Sequence, residues 1–162
     1  MAMDESRIQV GLLGVEGAGE QLLTALQACD VVELIALADR DRDLAAERAH
    51  AFQIEFYDDY RSLVVEQPIQ ALFVAAPPFA CQEQLKAAAA RGIPVWRETP
   101  FARSVRDGKA LLEAFAATDT RFSVSRRWQF TYQAAGIRDV EDLIGRPYAA
   151  RGIALEARAD PL

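Results

Sequence analysis

Closely spaced glycines near the start of the chain surround an acidic residue. In the pattern G-x-G-x-x-G, Gly14 takes the first glycine position and Gly19 takes the third. The second position allows the backbone to approach a pyrophosphate closely, and Glu16 occupies it here. A carboxylate at that position brings a side chain and a negative charge towards an anionic ligand. The spacing therefore predicts a dinucleotide-binding loop whose affinity is weakened by Glu16.

A second chemical signal begins at Asp39, which ends an apolar run 25 residues after Gly14. An acid at this distance accepts hydrogen bonds from the ribose hydroxyls of a dinucleotide and repels a 2′-phosphate, so it favours NAD over NADP. Arg40 keeps NADP open, because a guanidinium can pair with that phosphate or stack on adenine. The alternative interpretation is that residues 39–43 form a solvated run of charges that caps the next helix. We favour the ribose interpretation because of the preceding strand and loop.

These residues need a scaffold in which strands alternate with helices. The apolar runs predict strands at Ile8–Leu13, Val32–Ala38, Ile54–Phe56, Ala71–Ala75, Pro94–Trp96 and Phe122–Val124. Helical patterns cover Ala18–Ala28, Asp41–His50, Tyr60–Val65, Phe79–Ala90 and a segment from Ser104 to Ala117. Asp41 and Ser104 are the predicted N-caps of the second and fifth helices, and Gly92 is predicted to end the fourth. This alternation predicts an α/β fold, a doubly wound parallel Rossmann sheet with strand order 3-2-1-4-5-6.

The pattern changes after residue 125. A helix is predicted at Phe130–Ile144 and a long strand at Pro147–Glu156. We therefore expect a Rossmann domain over 1–125 and, over 126–162, a remnant or the start of a second α/β domain. An unpaired strand is a template for association, so we expect a homodimer through this C-terminal segment. The alternatives are that the segment folds back on its own sheet or is disordered.

Composition and net charge indicate which classes of partner and which cellular location to expect. A net charge of −6 argues against binding to nucleic acid or to an anionic membrane. Cys29 and Cys81 lack the spacing of a metal or redox site, so we expect no metal and a reducing, cytoplasmic location. We expect no signal peptide and no membrane span, because the apolar stretches of this sequence are too short for a membrane-spanning helix.

Longer motifs follow the glycine loop along nearly the whole chain: Glu33-Leu-Ile-Ala-Leu-Ala-Asp39-Arg, Tyr57-Asp-Asp-Tyr60, Ile69-Gln-Ala-Leu-Phe-Val-Ala-Ala-Pro77-Pro78, Ala88 to Pro100, Arg126-Arg127-Trp128 and Leu143-Ile-Gly145. In this order they resemble the N-terminal domain of the glucose–fructose oxidoreductase/inositol dehydrogenase/MocA (Gfo/Idh/MocA) family. The resemblance implies NAD(P)-dependent oxidation or reduction of sugars, polyols and related metabolites. It also implies a second domain that supplies substrate contacts and the oligomer interface. Residues expected to contact the dinucleotide are Gly14, Val15, Glu16, Gly17, Ala18, Asp39, Arg40, Ala76, Pro77 and Glu98.

The departures from the family pattern fall on catalytic positions. Where the family has Glu-Lys-Pro, with the lysine near the nicotinamide, this chain has Glu98-Thr99-Pro100, and Cys81 stands where a histidine is common. Arg97 is close to Thr99 in an extended segment, but a guanidinium does not release its proton. The catalytic pair of the second domain has no counterpart. Lys86, Lys109 and His50 are predicted on helices away from the strand ends, so no catalytic residue is assigned.

Two functions of different classes follow. The first is an oxidoreductase-family protein that binds NAD or NADP but is not catalytically competent as this chain alone. The second is a non-catalytic Rossmann module that serves as a ligand sensor or an assembly subunit. A dinucleotide and a sugar-like small molecule are the expected ligands.

Overall fold

The computed structural model describes residues 7–125, in which strands and helices alternate as the sequence predicts. The strands are β1 Ile8–Leu13, β2 Val32–Ala38, β3 Glu55–Tyr57, β4 Ala71–Val74, β5 Val95–Arg97 and β6 Phe122–Val124. The helices are α1 Ala18–Gln27, α2 Arg42–Phe52, α3 Tyr60–Glu66, α4 Pro78–Ala90 and α5 Val105–Ala117. The predicted helix at Phe130–Ile144 and strand at Pro147–Glu156 lie outside the described residues. The division of the chain at residue 125 stays a prediction.

The strands form one parallel sheet with the order β3-β2-β1-β4-β5-β6, which confirms the predicted Rossmann topology. The central strands β1, β2 and β4 are largely buried because helices cover both faces of the sheet. On one face Val10 and Leu12 pack against Leu23 of α1 and Ala45 of α2. On the other face the core includes residues of α3, α4 and α5, namely Leu63, Val64, Leu85, Leu111 and Phe115. Because β1 lies between β2 and β4 in the sheet, the carboxyl ends of these three parallel strands lie side by side.

The predicted caps are confirmed. The side chain of Asp41 accepts hydrogen bonds from the backbone amides of Asp43 and Leu44, and the side chain of Ser104 accepts one from Asp107. Gly92 follows α4 with φ of 67°, a left-handed conformation that glycine adopts at low cost, and its amide donates to the Ala89 carbonyl. These groups satisfy helix-end amides and carbonyls that would otherwise lack partners.

Two predicted strands are shifted by one residue, and backbone hydrogen bonding explains both corrections. The amide of Ile54 donates to the Ala49 carbonyl at the end of α2, so β3 begins at Glu55 and not at Ile54. Pro94 has no N–H to donate, and β5 begins at Val95, whose amide bonds the Arg121 carbonyl. The second shift places Arg97 inside a strand.

Five other boundaries differ by one or two residues. The predicted last residue of β4, Ala75, lies outside the strand because its amide and that of Ala76 both donate to the Leu13 carbonyl. Helix α1 ends at Gln27 and not at Ala28, α2 ends at Phe52 and not at His50, and α3 ends at Glu66 and not at Val65. Helix α4 starts at Pro78 and not at Phe79. None of the helices within residues 7–125 is long and apolar enough to cross a membrane.

Candidate functional site

A cleft of about 610 Å³ lies where the carboxyl ends of β1, β2 and β4 meet. This is the edge at which open α/β sheets bind ligands, and the volume is typical of a small-molecule site. The residues that line it are Gly14, Glu16, Gly17, Asp39, Arg40, Asp41, Tyr60, Ala75, Ala76, Pro77, Phe79 and Ala80. They come from the loop after β1, the end of β2, the start of α3 and the turn after β4.

The glycine loop is packed so closely that side chains are excluded at two of its positions. A Cβ atom at Gly14, where φ is +84°, would lie 2.5 Å from the Ala76 nitrogen. A Cβ atom at Gly19 would lie 2.1 Å from the Gly14 carbonyl oxygen. At Gly17 the space is open, and no side chain caps α1, which starts at Ala18. The loop therefore presents backbone at the start of a helix, an arrangement that binds phosphate groups.

Glu16 is exposed and belongs to the cleft lining, at the position where the sequence predicts interference with a pyrophosphate. Its carbonyl accepts a hydrogen bond from the Gly19 amide at 2.9 Å, which helps to shape the loop. Three carboxylates and one guanidinium line the cleft, contributed by Glu16, Asp39, Asp41 and Arg40. Attraction for an anion must therefore come mainly from backbone N–H groups.

The Asp39 side chain, at the end of β2, forms a hydrogen bond with the glycine loop. Its Oδ2 accepts a hydrogen bond from the Val15 amide at 2.8 Å, and its Oδ1 accepts one from the Asp41 amide at 3.0 Å. The helix cap that the alternative interpretation predicted is made by Asp41 and not by Asp39. Each carboxylate oxygen of Asp39 keeps a further lone pair with which to accept a ribose hydroxyl.

Arg97 and Cys81 form a buried pair behind the wall of the cleft. Arg97 is 1% exposed, and its Nη1 donates to Cys81 Sγ at 3.0 Å. Its Nη2 donates to the Ala76 carbonyl at 2.9 Å, and its Nε donates to the Pro100 carbonyl at 3.4 Å. Burial raises the pKa of the Cys81 thiol, against an opposing effect of the Arg97 charge. Arg97 is buried at the end of β5 while Thr99 is exposed, so the two side chains do not share one side of this segment.

Five lining residues were not singled out as site residues from the sequence, and two of them, Tyr60 and Phe79, are aromatic. Tyr60 is 4% exposed, and its ring belongs to the hydrophobic core. Burial, with the charges of Asp39 and Cys81, raises the pKa of its phenol to about 12, although a hydrogen bond from the Arg40 backbone amide lowers it. Phe79 is 65% exposed at the start of α4. Their positions after β3 and β4 were visible in the sequence, but their proximity to Asp39 depended on the strand order.

Seven of the ten residues predicted to contact a dinucleotide line the cleft, while Val15, Ala18 and Glu98 do not. Thr99 Oγ1 donates to Glu98 Oε1 at 3.4 Å. Lys86 and Lys109 lie within α4 and α5, and Lys86 pairs with Glu83 at 2.9 Å. Within residues 7–125, no group of three or more His, Cys, Asp or Glu side chains is arranged to hold a metal ion.

Comparison with known proteins identifies the family. The family model described as "Oxidoreductase family, NAD-binding Rossmann fold" (GFO_IDH_MocA) matches residues 8–126. The chain belongs to the Gfo/Idh/MocA oxidoreductase family. The residues that line the cleft all lie within the part of the chain that this family model covers.

Similar proteins include the D-apiose dehydrogenase of Paraburkholderia graminis, which is 26% identical over 148 residues, covering 90% of this chain and 40% of that protein. An oxidoreductase from Agrobacterium radiobacter, solved with NAD+, L-tartaric acid and magnesium, has 20% identity and a TM-score of 0.81 over 88% of this chain and 43% of that one. The scyllo-inositol dehydrogenase of Lactobacillus casei, solved with NAD(H) and scyllo-inositol, has 17% identity and a TM-score of 0.78 over 85% and 42% of the two chains. The chain therefore spans less than half the length of these relatives.

Proposed function

We propose that this Gfo/Idh/MocA domain binds NAD(H) in the cleft at the carboxyl ends of β1, β2 and β4. The observation that carries the proposal is the backbone cradle of Gly14, Gly17 and Gly19 directly beside the Asp39 carboxylate. Side-chain-free backbone accommodates a pyrophosphate, and a carboxylate one strand away accepts ribose hydroxyls. The cradle and the acid therefore fit the adenosine and pyrophosphate parts of a dinucleotide.

We propose that NAD is preferred to NADP. A 2′-phosphate beside Asp39 and Asp41 would meet two carboxylates, while Arg40 offers one opposing charge. Glu16 weakens binding of either cofactor, because its carboxylate lines the same cleft. The affinity should consequently be lower than a three-glycine loop would provide, and it should depend on ionic strength.

The chain by itself is proposed to lack oxidoreductase turnover. When bound, a nicotinamide supplies hydride transfer, and the protein must supply a group that exchanges the proton of the substrate hydroxyl. At the family's lysine position Thr99 has no basic group, and the thiol of Cys81 is fully buried and accepts from Arg97. Sugars and polyols remain the proposed ligand class of the complete site, by analogy with the relatives that act on D-apiose and scyllo-inositol.

The alternative function is a non-catalytic module that senses a dinucleotide or serves as an assembly subunit in the cytoplasm. The substitutions at Thr99 and Cys81 favour it, since both remove proton-transfer groups while the cradle of the cleft is retained. A sensor needs the binding site and no proton-transfer group. The two functions therefore agree on dinucleotide binding and differ on chemistry.

Calorimetric titration of the 162-residue chain with NAD, NADH, NADP and NADPH tests the proposal. We expect binding of NAD and NADH, with at least tenfold weaker binding of the two phosphorylated cofactors. The variant Arg40→Ala should weaken NADP more than NAD. Failure of all four dinucleotides to bind at millimolar concentration would contradict the proposed function, and equal affinities would contradict the preference for NAD.

A further inference from the structure

We infer that Tyr60 is a ligand-binding residue of this cleft, where its phenol donates a hydrogen bond to the adenosine half of the dinucleotide. The inference rests on the proposed function. It adds a specificity-determining side chain from α3 to a site that otherwise consists of the glycine loop and the acidic residue after β2. Its basis is a ring that is packed in the core, a place in the cleft lining, and a phenol that donates no hydrogen bond within residues 7–125.

The ring and the hydroxyl of Tyr60 lie in different surroundings. The ring belongs to the apolar core with Val64, Ala76 and Cys81, and the whole residue is only 4% exposed. Tyr60 is also part of the cleft lining, together with Asp39 and Arg40. Because the packed ring fixes the hydroxyl at the cleft wall, little conformational entropy is lost when a ligand binds there.

The hydroxyl has an unused donor. Among residues 7–125 no protein group accepts the phenol proton of Tyr60. The pKa of about 12 keeps this group protonated throughout the physiological range. In the open cleft water accepts this proton, and an oxygen or nitrogen atom of a bound ligand can take the place of that water.

The position of Tyr60 assigns it to the adenosine half. The lining comes from the ends of β1, β2 and β4 and from the first residues of α3 and α4, with no contribution from Glu98 or Thr99 after β5. Asp39 and Arg40, which face the adenine ribose in a Rossmann site, are the lining residues whose charges act on Tyr60. The acceptor for the phenol is therefore an oxygen or ring nitrogen of the adenosine moiety.

The test compares Tyr60→Phe with Tyr57→Phe in the full chain. Tyr60→Phe keeps the buried ring and removes only the hydroxyl. Tyr57 is the matched control, because its phenol is hydrogen-bonded within the protein to Glu55 and Gln67 and does not line the cleft. Dissociation constants are measured by calorimetry for NAD, ADP-ribose and nicotinamide mononucleotide, together with the Tm of each variant.

We expect Tyr60→Phe to weaken NAD and ADP-ribose by the same factor, about tenfold, while nicotinamide mononucleotide and the Tyr57→Phe variant show no such change. If the unsubstituted chain binds NAD and ADP-ribose and Tyr60→Phe binds them equally well, the inference is wrong and the proposed function stands. If the unsubstituted chain binds neither compound, both are overturned. The two failures are thus distinguished in one experiment.

A spectroscopic measurement covers the case in which Tyr60→Phe does not fold. The chain has four tyrosines, so 3-fluorotyrosine labelling yields four fluorine resonances. Phe variants at Tyr57, Tyr132 and Tyr148 assign the Tyr60 resonance by elimination. We expect this resonance to shift on addition of ADP-ribose and not of nicotinamide mononucleotide. No shift at saturating ADP-ribose would overturn the inference.

Discussion

At the scale of single residues, the cleft combines a backbone cradle suited to an anion with side chains that oppose one. Gly14 and Gly19 cannot carry a Cβ without severe overlap, so the loop keeps the shape of a phosphate-binding turn. Glu16, which replaces the second glycine, is exposed on the same cleft. Solvent screens an exposed charge, so its effect on an anionic ligand is smaller than that of a buried one.

The first prediction separates the charge of Glu16 from its size. We expect Glu16→Gln to raise the affinity for NAD about fivefold at low salt, because two like charges about 4 Å apart in water repel by about 1 kcal/mol. Glu16→Gly, which also removes the side chain, should raise the affinity further. Calorimetry at two salt concentrations measures both effects, with Glu47→Gln on exposed α2 surface as the control. Unchanged affinity in both Glu16 variants would show that the carboxylate points away from the ligand.

The second prediction concerns Arg97, whose guanidinium joins three parts of the chain. It donates to Ala76, Pro100 and Cys81, and an ammonium group cannot reach all three acceptors with the same planar geometry. We expect Arg97→Lys to lower the free energy of unfolding by about 2 kcal/mol, since a buried acceptor is left unpaired. Urea denaturation measures the loss, and the exposed Arg103→Lys should change stability by less than about 0.5 kcal/mol. Equal effects of the two variants would contradict this account.

At the scale of elements, caps and strand ends fix where the cleft residues lie. Asp41, in the middle of the charged run after β2, caps α2, and Asp39 bonds the glycine loop after β1. The buried Arg97 at the end of β5 bonds the turn that follows β4. Each loop around the cleft is consequently held by a polar contact from a neighbouring element.

The third prediction tests the cap of α5, where Ser104 and Asp107 bond reciprocally. Ser104 Oγ accepts from the Asp107 amide at 3.1 Å, and the hydrogen bond of the Ser104 side chain to the carboxylate holds the pKa of Asp107 below its ordinary value of 3.8. We expect Ser104→Ala to cost about 1 kcal/mol of stability at pH 7, measured by urea denaturation.

The stability that the Asp107 carboxylate contributes should decrease as the pH falls. A carboxyl group whose pKa is lower in the folded chain adds stability above its ordinary pKa and loses that stability as the pH falls through the lower, folded value. Asp107→Asn should therefore be destabilising near neutral pH, and its difference from the unsubstituted chain should shrink below pH 4. Glu113→Gln, on the exposed face of α5, serves as the control. A difference that stays constant into acid would contradict the role of the Asp107 charge.

At the scale of the whole molecule, the chain is a Gfo/Idh/MocA Rossmann domain with a C-terminal segment, and it covers 40% of the length of D-apiose dehydrogenase. The fourth prediction is that the 162-residue chain does not oxidise sugars or polyols with NAD or NADP. Absorbance of reduced nicotinamide is the measurement, with the scyllo-inositol dehydrogenase of Lactobacillus casei and scyllo-inositol as the positive control. Thr99→Lys alone should not restore activity, and cofactor-dependent turnover by this chain would refute the prediction.

The fifth prediction is that the chain forms a dimer through residues 126–162, which lie outside the described part of the structure. The apolar strand predicted at Pro147–Glu156 supports it, because an unpaired strand presents free backbone donors and acceptors. Light scattering on the full chain should give twice the monomer mass, and a truncation that ends at Ser125 should be monomeric. Circular dichroism verifies that the truncation is folded. A monomeric full chain, or a dimeric truncation, would exclude this interface.

The sequence by itself determined the family, the strand order and the glycine loop. These features depend on local patterns, namely apolar runs bounded by caps and glycines whose spacing is read directly. Gly14, Asp39, Pro77 and the caps at Asp41 and Ser104 were identified in this way, and the structure places Gly14, Asp39 and Pro77 in one cleft. Errors in the described elements were confined to their ends, where competing hydrogen bonds from Ile54 and Ala75 decide the boundary.

Only the tertiary structure decided which residues far apart in sequence share the cleft. Tyr60 lines the cleft together with Asp39 and Arg40 because α3 packs beside β2, and no local sequence pattern indicates this proximity. Arg97 is two residues from Thr99 in the sequence, but the position of β5 buries its side chain against Cys81 and Ala76. Contacts of this kind depend on the packing of several elements at once. For that reason the sequence locates the loop, and the fold selects the side chains that surround it.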